Sequence, residues 1–244
     1  MGGGAPERAG AISGGGGRSD ATIATGVQIT ISKENYLKTI AEAESEGETV
    51  IAATLARWLN VSPPAVTKAL SRLKKDNLVE VADDGQVKLT EEGRGIANGI
   101  LNRHHLIERM LTEIFGMEWF KVHDEAERLE HAVSPDFEKL LTQKLGDGQA
   151  CPHGNQTGMD TPELRRRRGW TTLAEAGGEQ ALTVVSVFER DRQLLEFLHG
   201  MSIHPGARLE VVAHNYDDTL TLRVAGEPVH LGMAAARKVW VAPA

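Results

Sequence analysis

Between His104 and His131 the chain reads HHLIERMLTEIFGMEWFKVHDEAERLEH, and the spacing of its titratable residues restricts the fold more than any other segment. His104 and Glu108 are four apart; His123, Glu127, Glu130 and His131 follow at steps of four, three and one. Residues three or four apart on an α-helix share a face. The segment therefore calls for two helices, one carrying a His/Glu pair and the next a His/Glu/Glu/His row. Packed face to face, they bring three imidazoles and three carboxylates to one region, a nitrogen and oxygen donor set suited to a divalent metal. The ordinary alternative is a solvated face. Against it stand the interleaved apolar residues Leu106, Ile107, Leu111, Ile114, Trp119, Phe120 and Leu129. Neither H-E-x-x-H nor H-x-x-E-H occurs, so the metalloprotease signatures are absent.

A length of 244 residues suits one large or two to three small domains. Hydrophobic residues make up 41% and charged residues 25%, the balance of an ordinary globular protein. No apolar run approaches the ~20 residues that span a bilayer, so no membrane association is expected. The N-terminus lacks the apolar segment of a secretory signal. The single Cys151 forms no internal disulfide, which suits a cytoplasmic protein. A net charge of −7 means that nucleic-acid binding requires a local basic patch.

Residues 1–28 are Gly-rich and aperiodic, and a disordered tail is expected there. Residues 32–46 carry an apolar stripe of Tyr36, Leu37 and Ile40 behind Ser32 as N-cap, and Gly47 ends that helix. Residues 51–59 form a second helix and Asn60-Val61 a turn. Ser62-Pro63-Pro64 opens a third helix, with Pro63 in its first turn and Val66, Leu70 and Leu73 facing inward. VEVA and QVKLT about Asp83-Asp84-Gly85 read as a β-hairpin. Three helices and a hairpin over 29–92 spell a winged helix-turn-helix.

Residues 57–75 hold Arg57, Lys68, Arg72, Lys74 and Lys75 and no acid, an asymmetry that fits phosphate contact. Each phosphate neutralised steepens the salt dependence of binding by ~0.9 in log–log slope. Ser62, Pro64, Ala65, Thr67 and Lys68 begin the third helix, the part that reaches base edges. Pro64 and Ala65 suit thymine methyls, and Ser62, Thr67 and Lys68 suit hydrogen bonds, with Arg57 and Arg72 as flanking contacts.

Thr90 caps a long helix, and the His123 helix and one opened by Ser134-Pro135-Asp136 follow. Residues 93–168 thus read as a helical dimerisation and metal-binding domain. Residues 147–178 are irregular and in part a linker. From 178 to 244 short alternating strands with one helix suggest a small β-barrel. The fold class is mainly α with α+β parts.

The motifs ENYLKTI (34–40), SPPAVTKALSRL, RHHLIERML (103–111) and KVHDEAERLEH (121–131) stand in order along the chain. With them the sequence resembles the diphtheria toxin repressor family of metal-dependent regulators over roughly residues 30–244. PGARLEVV (205–212) and RKVWVA resemble that family's third domain, a barrel of the FeoA and Src-homology type. The resemblance implies two neighbouring divalent-metal sites per subunit. One uses Glu127, Glu130 and His131 with a first-helix side chain, here Asn35, and His104 joins either site. The other draws on Glu108, His123, Cys151, His153 or Asp191, in a combination that varies among relatives. Cys151-Pro152-His153-Gly154 is similar to the segment that supplies ligands in manganese-responsive three-domain members. Glu127, a carboxylate where iron-responsive relatives have Cys, implies Mn²⁺ ahead of Fe²⁺ or Zn²⁺. Asn35 departs from the Asp of many manganese members, and Lys38 from an acid in the shortest ones. His105, His199, His204, His214 and His230 are assigned to surface or packing.

The expectation is a homodimeric, metal-activated repressor that binds a palindromic double-stranded operator and has no organic substrate and no enzymatic activity. Control of manganese uptake genes is what the resemblance implies. The alternatives are an iron-responsive regulator of the same family, a metal-independent winged-helix regulator, and a metalloenzyme whose His/Glu cluster polarises water.

Overall fold

A computed structural model describes Met1 and residues 29–146, 148–156, 161–178 and 180–244. The tail expected over 1–28 lies, apart from Met1, outside the described residues.

Three helices come first: α1 (Ile31–Ser45), α2 (Ala52–Leu59) and α3 (Pro63–Lys75). Helix α1 starts one residue before the expected cap, so Ser32 lies inside it. Gly47 terminates the segment at φ +74°, with Glu48 N–H donating to the Ala43 carbonyl. Asn60, at φ 52°, closes α2 in the left-handed conformation. Ser62 occupies the N-cap position of α3 with Pro63 behind it, but its hydroxyl makes no capping bond. Val66, Leu70 and Leu73 of α3 are buried together with Leu37, Ile40 and Leu55 of the first two helices.

The wing is the antiparallel pair β1 (Val79–Val81) and β2 (Val87–Leu89). It runs directly into α4 (Glu91–Arg109). Thr90 Oγ1 accepts from Gly93 N and donates to the Asn77 carbonyl. A Cβ on Gly93 would sit 2.0 Å from the Leu78 carbonyl oxygen, so only glycine lets α4 start this close to the wing.

Helix α4 passes into one π-helical stretch, Met110–Ile114. A 3₁₀ turn (Trp119–Lys121) leads into α5 (Val122–Leu129). Ile107, Leu111, Val122 and Ala126 form the apolar seam between α4 and α5. Helix α6 (Pro135–Leu145) follows, capped by Ser134. Arg109 donates to the carbonyls of Leu145 and Gly146, satisfying groups a helix end leaves unpaired.

The stretch expected as a partial linker is more ordered than its composition suggested. It holds α7 (Pro162–Arg167) and β3 (Thr171–Thr172). The remaining elements are β4 (Ala181–Val187), α8 (Arg192–Gly200), β5 (Arg208–His214), β6 (Thr219–Val224), β7 (Glu227–Gly232), α9 (Met233–Ala236) and β8 (Val239–Pro243). Among the described residues the six strands form one antiparallel sheet in the order β3-β8-β4-β5-β6-β7. In this ladder, which stands where the small barrel was expected, β3 and β7 are the outermost strands. Irregular register between Val184 and Ser186, and between Val211 and Ala213, bends β4 and β5. Because β3 pairs with β8, the sheet begins at Thr171, ahead of the expected boundary at 178.

The core of this sheet contains Leu182, Val184, Leu195, Leu198, Leu220, Leu222 and Val241, and also Phe120 from the turn before α5. Burying such a ring contributes about 1.5–3 kcal/mol. That contact seats the sheet domain against the helices that carry the His/Glu rows.

Candidate metal centre

Helix α4 presents His104 and Glu108 one turn apart, both fully buried, with the buried His105 beside them. Helix α5 faces them with His123. A turn, Cys151–Gly154, brings in Cys151 and His153, both buried. It is closed by Gly154 N–H donating to the Cys151 carbonyl, and β4 holds it through Val187 N–H on the His153 carbonyl. Gly154 sits at φ +82°, and a Cβ there would lie 1.9 Å from the Val185 carbonyl oxygen. Only glycine allows this turn to lie flat on the strand. The last contributor is Glu189, just beyond the end of β4 and 8% exposed.

These side chains converge on Glu108. Its Oε1 lies 3.1 Å from His104 Nε2, 3.3 Å from His123 Nδ1 and 3.3 Å from His153 Nδ1. His104 Nε2 and His123 Nδ1 are themselves 3.0 Å apart. Glu189 lies 3.6 Å from Cys151 Sγ and His153 Nδ1, and 3.9 Å from His105 Nε2. The ligand atoms of His105, Glu108, Cys151 and Glu189 all fall within 4.8 Å of one another, as do those of His104, His123 and Glu189. Glu108 Oε2, His153 Nε2 and His105 Nδ1 are buried without a hydrogen-bond partner among the described residues. Orphaned buried polar atoms are costly. Crowded lone pairs with unsatisfied neighbours suit a divalent cation, and the donor set fits one.

Proton affinities carry the same signature. Burial and Lys38 both oppose a charge on His104, yet Glu108 and Glu130 outweigh them and raise the imidazole to about 10. Burial lowers His153, but the Glu108 carboxylate overrides it and raises it. Burial works to raise Glu108, while His153 and His104 hold it well below the carboxylate range. Burial and the charge of Glu108 press Glu189 upward, and His105 and His123 win, holding it low. Burial, then Glu108 and Glu189, push the Cys151 thiol well up. Ligands that would have to lose a proton to bind metal are thus held protonated by the acids around them.

A second cluster adjoins the first. Lys38 Nζ on α1 donates to Glu130 Oε2 at 2.7 Å and lies 3.2 Å from His104 Nδ1. His104 Nδ1 also lies 2.6 Å from Glu130 Oε2, so this one ring faces both clusters. His131 faces α1, with Nε2 2.7 Å from Asn35 Oδ1 and Nδ1 2.7 Å from Glu34 Oε2. Glu127 is exposed, 3.6 Å from Lys38 and 3.7 Å from His123. A cavity of about 290 Å³ opens here, lined by Asn35, Lys38, Glu127, Glu130, His131 and Arg190 among others. Burial favours neutral Glu130, but hydrogen bonds from His104 and Lys38 hold it at about 2.

Of the sequence-derived candidates, His104, Glu108, His123, Cys151 and His153 meet in the first cluster, and Asn35, Glu127, Glu130 and His131 in the second. Asp191 joins neither. Its carboxylate caps α8 through Leu194 N–H and accepts from Lys238, because it immediately precedes the helix. Glu189, two residues earlier, enters the first cluster instead. His105, assigned to packing, is there too. Glu189 comes from the sheet domain and has no helical-spacing partner; His105 stands three residues before Glu108 on α4 but meets Glu189 only after folding. Glu34 was likewise missed.

The third helix presents the expected face. Ser62, Pro64, Ala65, Thr67, Lys68 and Arg72 are all exposed on α3. Thr67 Oγ1 donates to the Pro63 carbonyl at 3.1 Å, and Arg57 is ion-paired with Glu48.

Comparison with known proteins gives three matches in series. Residues 28–87 match the iron dependent repressor N-terminal DNA binding domain, 90–157 its metal binding and dimerisation domain, and 171–243 the FeoA domain. The diphtheria toxin repressor of Corynebacterium diphtheriae is 43% identical over 209 residues, covering 81% of this chain and 91% of that protein. The iron-dependent repressor IdeR of Mycobacterium tuberculosis is 34% identical over 199 residues, 75% of this chain and 85% of its own length. Among solved structures, a manganese-dependent transcriptional repressor in complex with manganese superposes with a TM-score of 0.77 at 32% identity. It covers 87% of this chain and 100% of that one.

Proposed function

Since the chain belongs to the diphtheria toxin repressor family, and is therefore a metal-dependent transcriptional repressor, we propose that its activating ion is Mn²⁺ and that its dimer reads a palindromic operator. The observation that carries the metal reading is the convergence of buried imidazoles, carboxylates and one thiol on Glu108, with three of their atoms unpartnered. His105, Glu108, His123, Cys151, His153 and Glu189 would hold one ion, and Asn35, Glu127, Glu130 and His131 a second, with His104 between them. When bound, a divalent ion supplies the positive charge that lets these groups give up protons and face one point.

The second cluster joins two domains. Asn35 and Lys38 sit on α1, which packs against α2 and α3; Glu130 and His131 sit at the end of α5. Contacts across this junction set where α1, and hence α3, stands relative to the dimerisation helices. Two α3 helices held one helical turn of DNA apart meet successive major grooves. Ile114, Phe115, Phe137 and Leu140 are exposed apolar residues at the end of the π-helical stretch after α4 and on α6. We assign them to the two-fold contact, which buries them against the same patch of the partner.

Glu127 supports manganese, because a carboxylate is a hard donor. Iron is the second reading. The Mycobacterium tuberculosis relative bears the name iron-dependent repressor, and the thiol and imidazoles of the first cluster suit a softer ion. Cytoplasmic residence belongs to the same proposal; among the described residues no helix is long and apolar enough to cross a membrane.

The test is a gel shift on a duplex selected from a random pool in the presence of Mn²⁺. The protein is stripped with chelator and reloaded with Mn²⁺, Fe²⁺ or Zn²⁺ in turn. Retardation restored by Mn²⁺ at the lowest free concentration supports the proposal. Equal binding in chelator removes metal control, and preferential restoration by Fe²⁺ selects the second reading.

A further inference from the structure

Three consecutive residues leave the end of β4 and divide their contacts. Phe188 packs edge-to-face on Trp58, ring centroids 6.0 Å apart. Glu189 turns into the ligand cluster. Arg190 turns back to the reading domain, where its guanidinium donates to Glu42 of α1 and, at 3.4 Å, to the Trp58 carbonyl of α2. It also stacks 5.2 Å over the Trp58 ring and lies 3.5 Å from Glu127 of the second cluster. Glu42 is buried and the Arg190 side chain only 18% exposed, so this is not a solvent-screened surface pair. A planar fork with several donors suits such a junction, because it fixes direction as well as charge.

We propose that Arg190 is a positioning residue that couples the cluster around Glu189 to helices α1 and α2 of the reading domain. The proposal rests on the metal reading of that cluster. Glu189 and Arg190 are neighbours on one short turn, so the backbone that carries the carboxylate to its place among His105, Cys151 and His153 also places the guanidinium. A displacement of Glu189 shifts the fork that grips Glu42 and Trp58. The sheet domain thereby touches both ends of the device, with no contact to DNA of its own required.

The experiment uses the full chain and Mn²⁺ as the probe. Bound Mn²⁺ is counted by equilibrium dialysis, and backbone hydrogen exchange is followed in peptides over residues 52–59. In the wild type, Mn²⁺ slows exchange across this segment. In Arg190→Met the expected result is an unchanged Mn²⁺ count with that slowing abolished. Arg190→Lys keeps the charge without the fork and retains part of it. Glu42→Gln removes the ion pair from the other side and guards against a folding defect specific to position 190; it is expected to behave like Arg190→Met. Wild-type slowing in both Arg190→Met and Glu42→Gln overturns the coupling. So does loss of Mn²⁺ binding in Arg190→Met, since Arg190 would then be shaping the ligand cluster itself. A wild type that binds no Mn²⁺ overturns the metal reading first, and the coupling with it.

Discussion

Glu108 is the residue on which the centre turns. One of its oxygens faces three imidazoles and the other has no hydrogen-bond partner among the described residues, a distribution that leaves a buried acceptor unsatisfied. Protons and metal therefore compete. His104 sits near 10 and Cys151 is raised well above its usual value, so both hold protons at neutral pH without metal, and His153 is raised in the same direction. Each must be given up on ligation, so Mn²⁺ affinity rises with pH between about 6 and 8 and loading releases protons. Calorimetry in buffers of different ionisation enthalpy counts them; a count of zero with pH-independent affinity contradicts this balance. Position 127 is where the proposal places the choice of metal. Its half-exposed side chain lines an open cavity, so Glu127→Cys is tolerated sterically. The expected outcome is on the order of tenfold weaker Mn²⁺ binding, equivalent to ~1.4 kcal/mol, with Zn²⁺ binding retained or strengthened. Competition dialysis between the two ions measures it. At this scale the sequence was readable where ligands share one helix. His104 with Glu108, and His123 with Glu127, are encoded in spacing. Glu189 was not, because its place depends on how a distant sheet docks, and His105, three residues before Glu108, was passed over although its spacing offered it. Asp191 misled for a local reason: an acid before RQLLEF has a helix to cap, and capping took it.

Elements were more legible than residues, because capping and punctuation are local. Thr90, Ser134 and Gly47 act where their types predicted. Thr90 caps α4 through Gly93 N–H and ties it to the Asn77 carbonyl ahead of β1, so Thr90→Ala is expected to cost about 1 kcal/mol, read as a lowered urea midpoint. The Cys151–Gly154 turn was legible as a motif and not as a structure. Its Gly- and Pro-containing surroundings resemble a linker, whereas the turn is pinned to β4 by backbone bonds. Gly154→Ala places a methyl into the Val185 carbonyl and strains a left-handed φ. The expected result is loss of Mn²⁺ at the first cluster while the second still binds, so dialysis falls by one ion per chain. A variant that binds the full complement would show the turn to be dispensable.

The whole molecule is organised around one junction, where the reading helices, the dimerisation helices and the sheet meet. To move a two-state population from 1:99 to 99:1, an ion must prefer one state by ~10⁴, about 5.5 kcal/mol. A centre that draws side chains from all three parts can supply that preference, because contacts on every side change with the arrangement. Pairing of two chains is the other requirement. Leu140→Asp and Phe115→Asp put charge into the assigned two-fold patch, and sedimentation is expected to give a monomer that still binds Mn²⁺. A dimer of unchanged affinity would place the interface elsewhere. Domain order and class were legible from the alternation of helical and strand periods; the pairing of β3 with β8 was not, since a two-residue strand carries no period. Phe120 shows what that means for dissection. Its ring belongs by sequence to the helical segment and by packing to the sheet's interior. A truncation ahead of Thr171 would bare it, and a graft of the last seventy or so residues onto a foreign repressor would arrive with an empty socket. Recombination at the apparent boundary should fail unless the donor supplies both the socket and the ring that fills it.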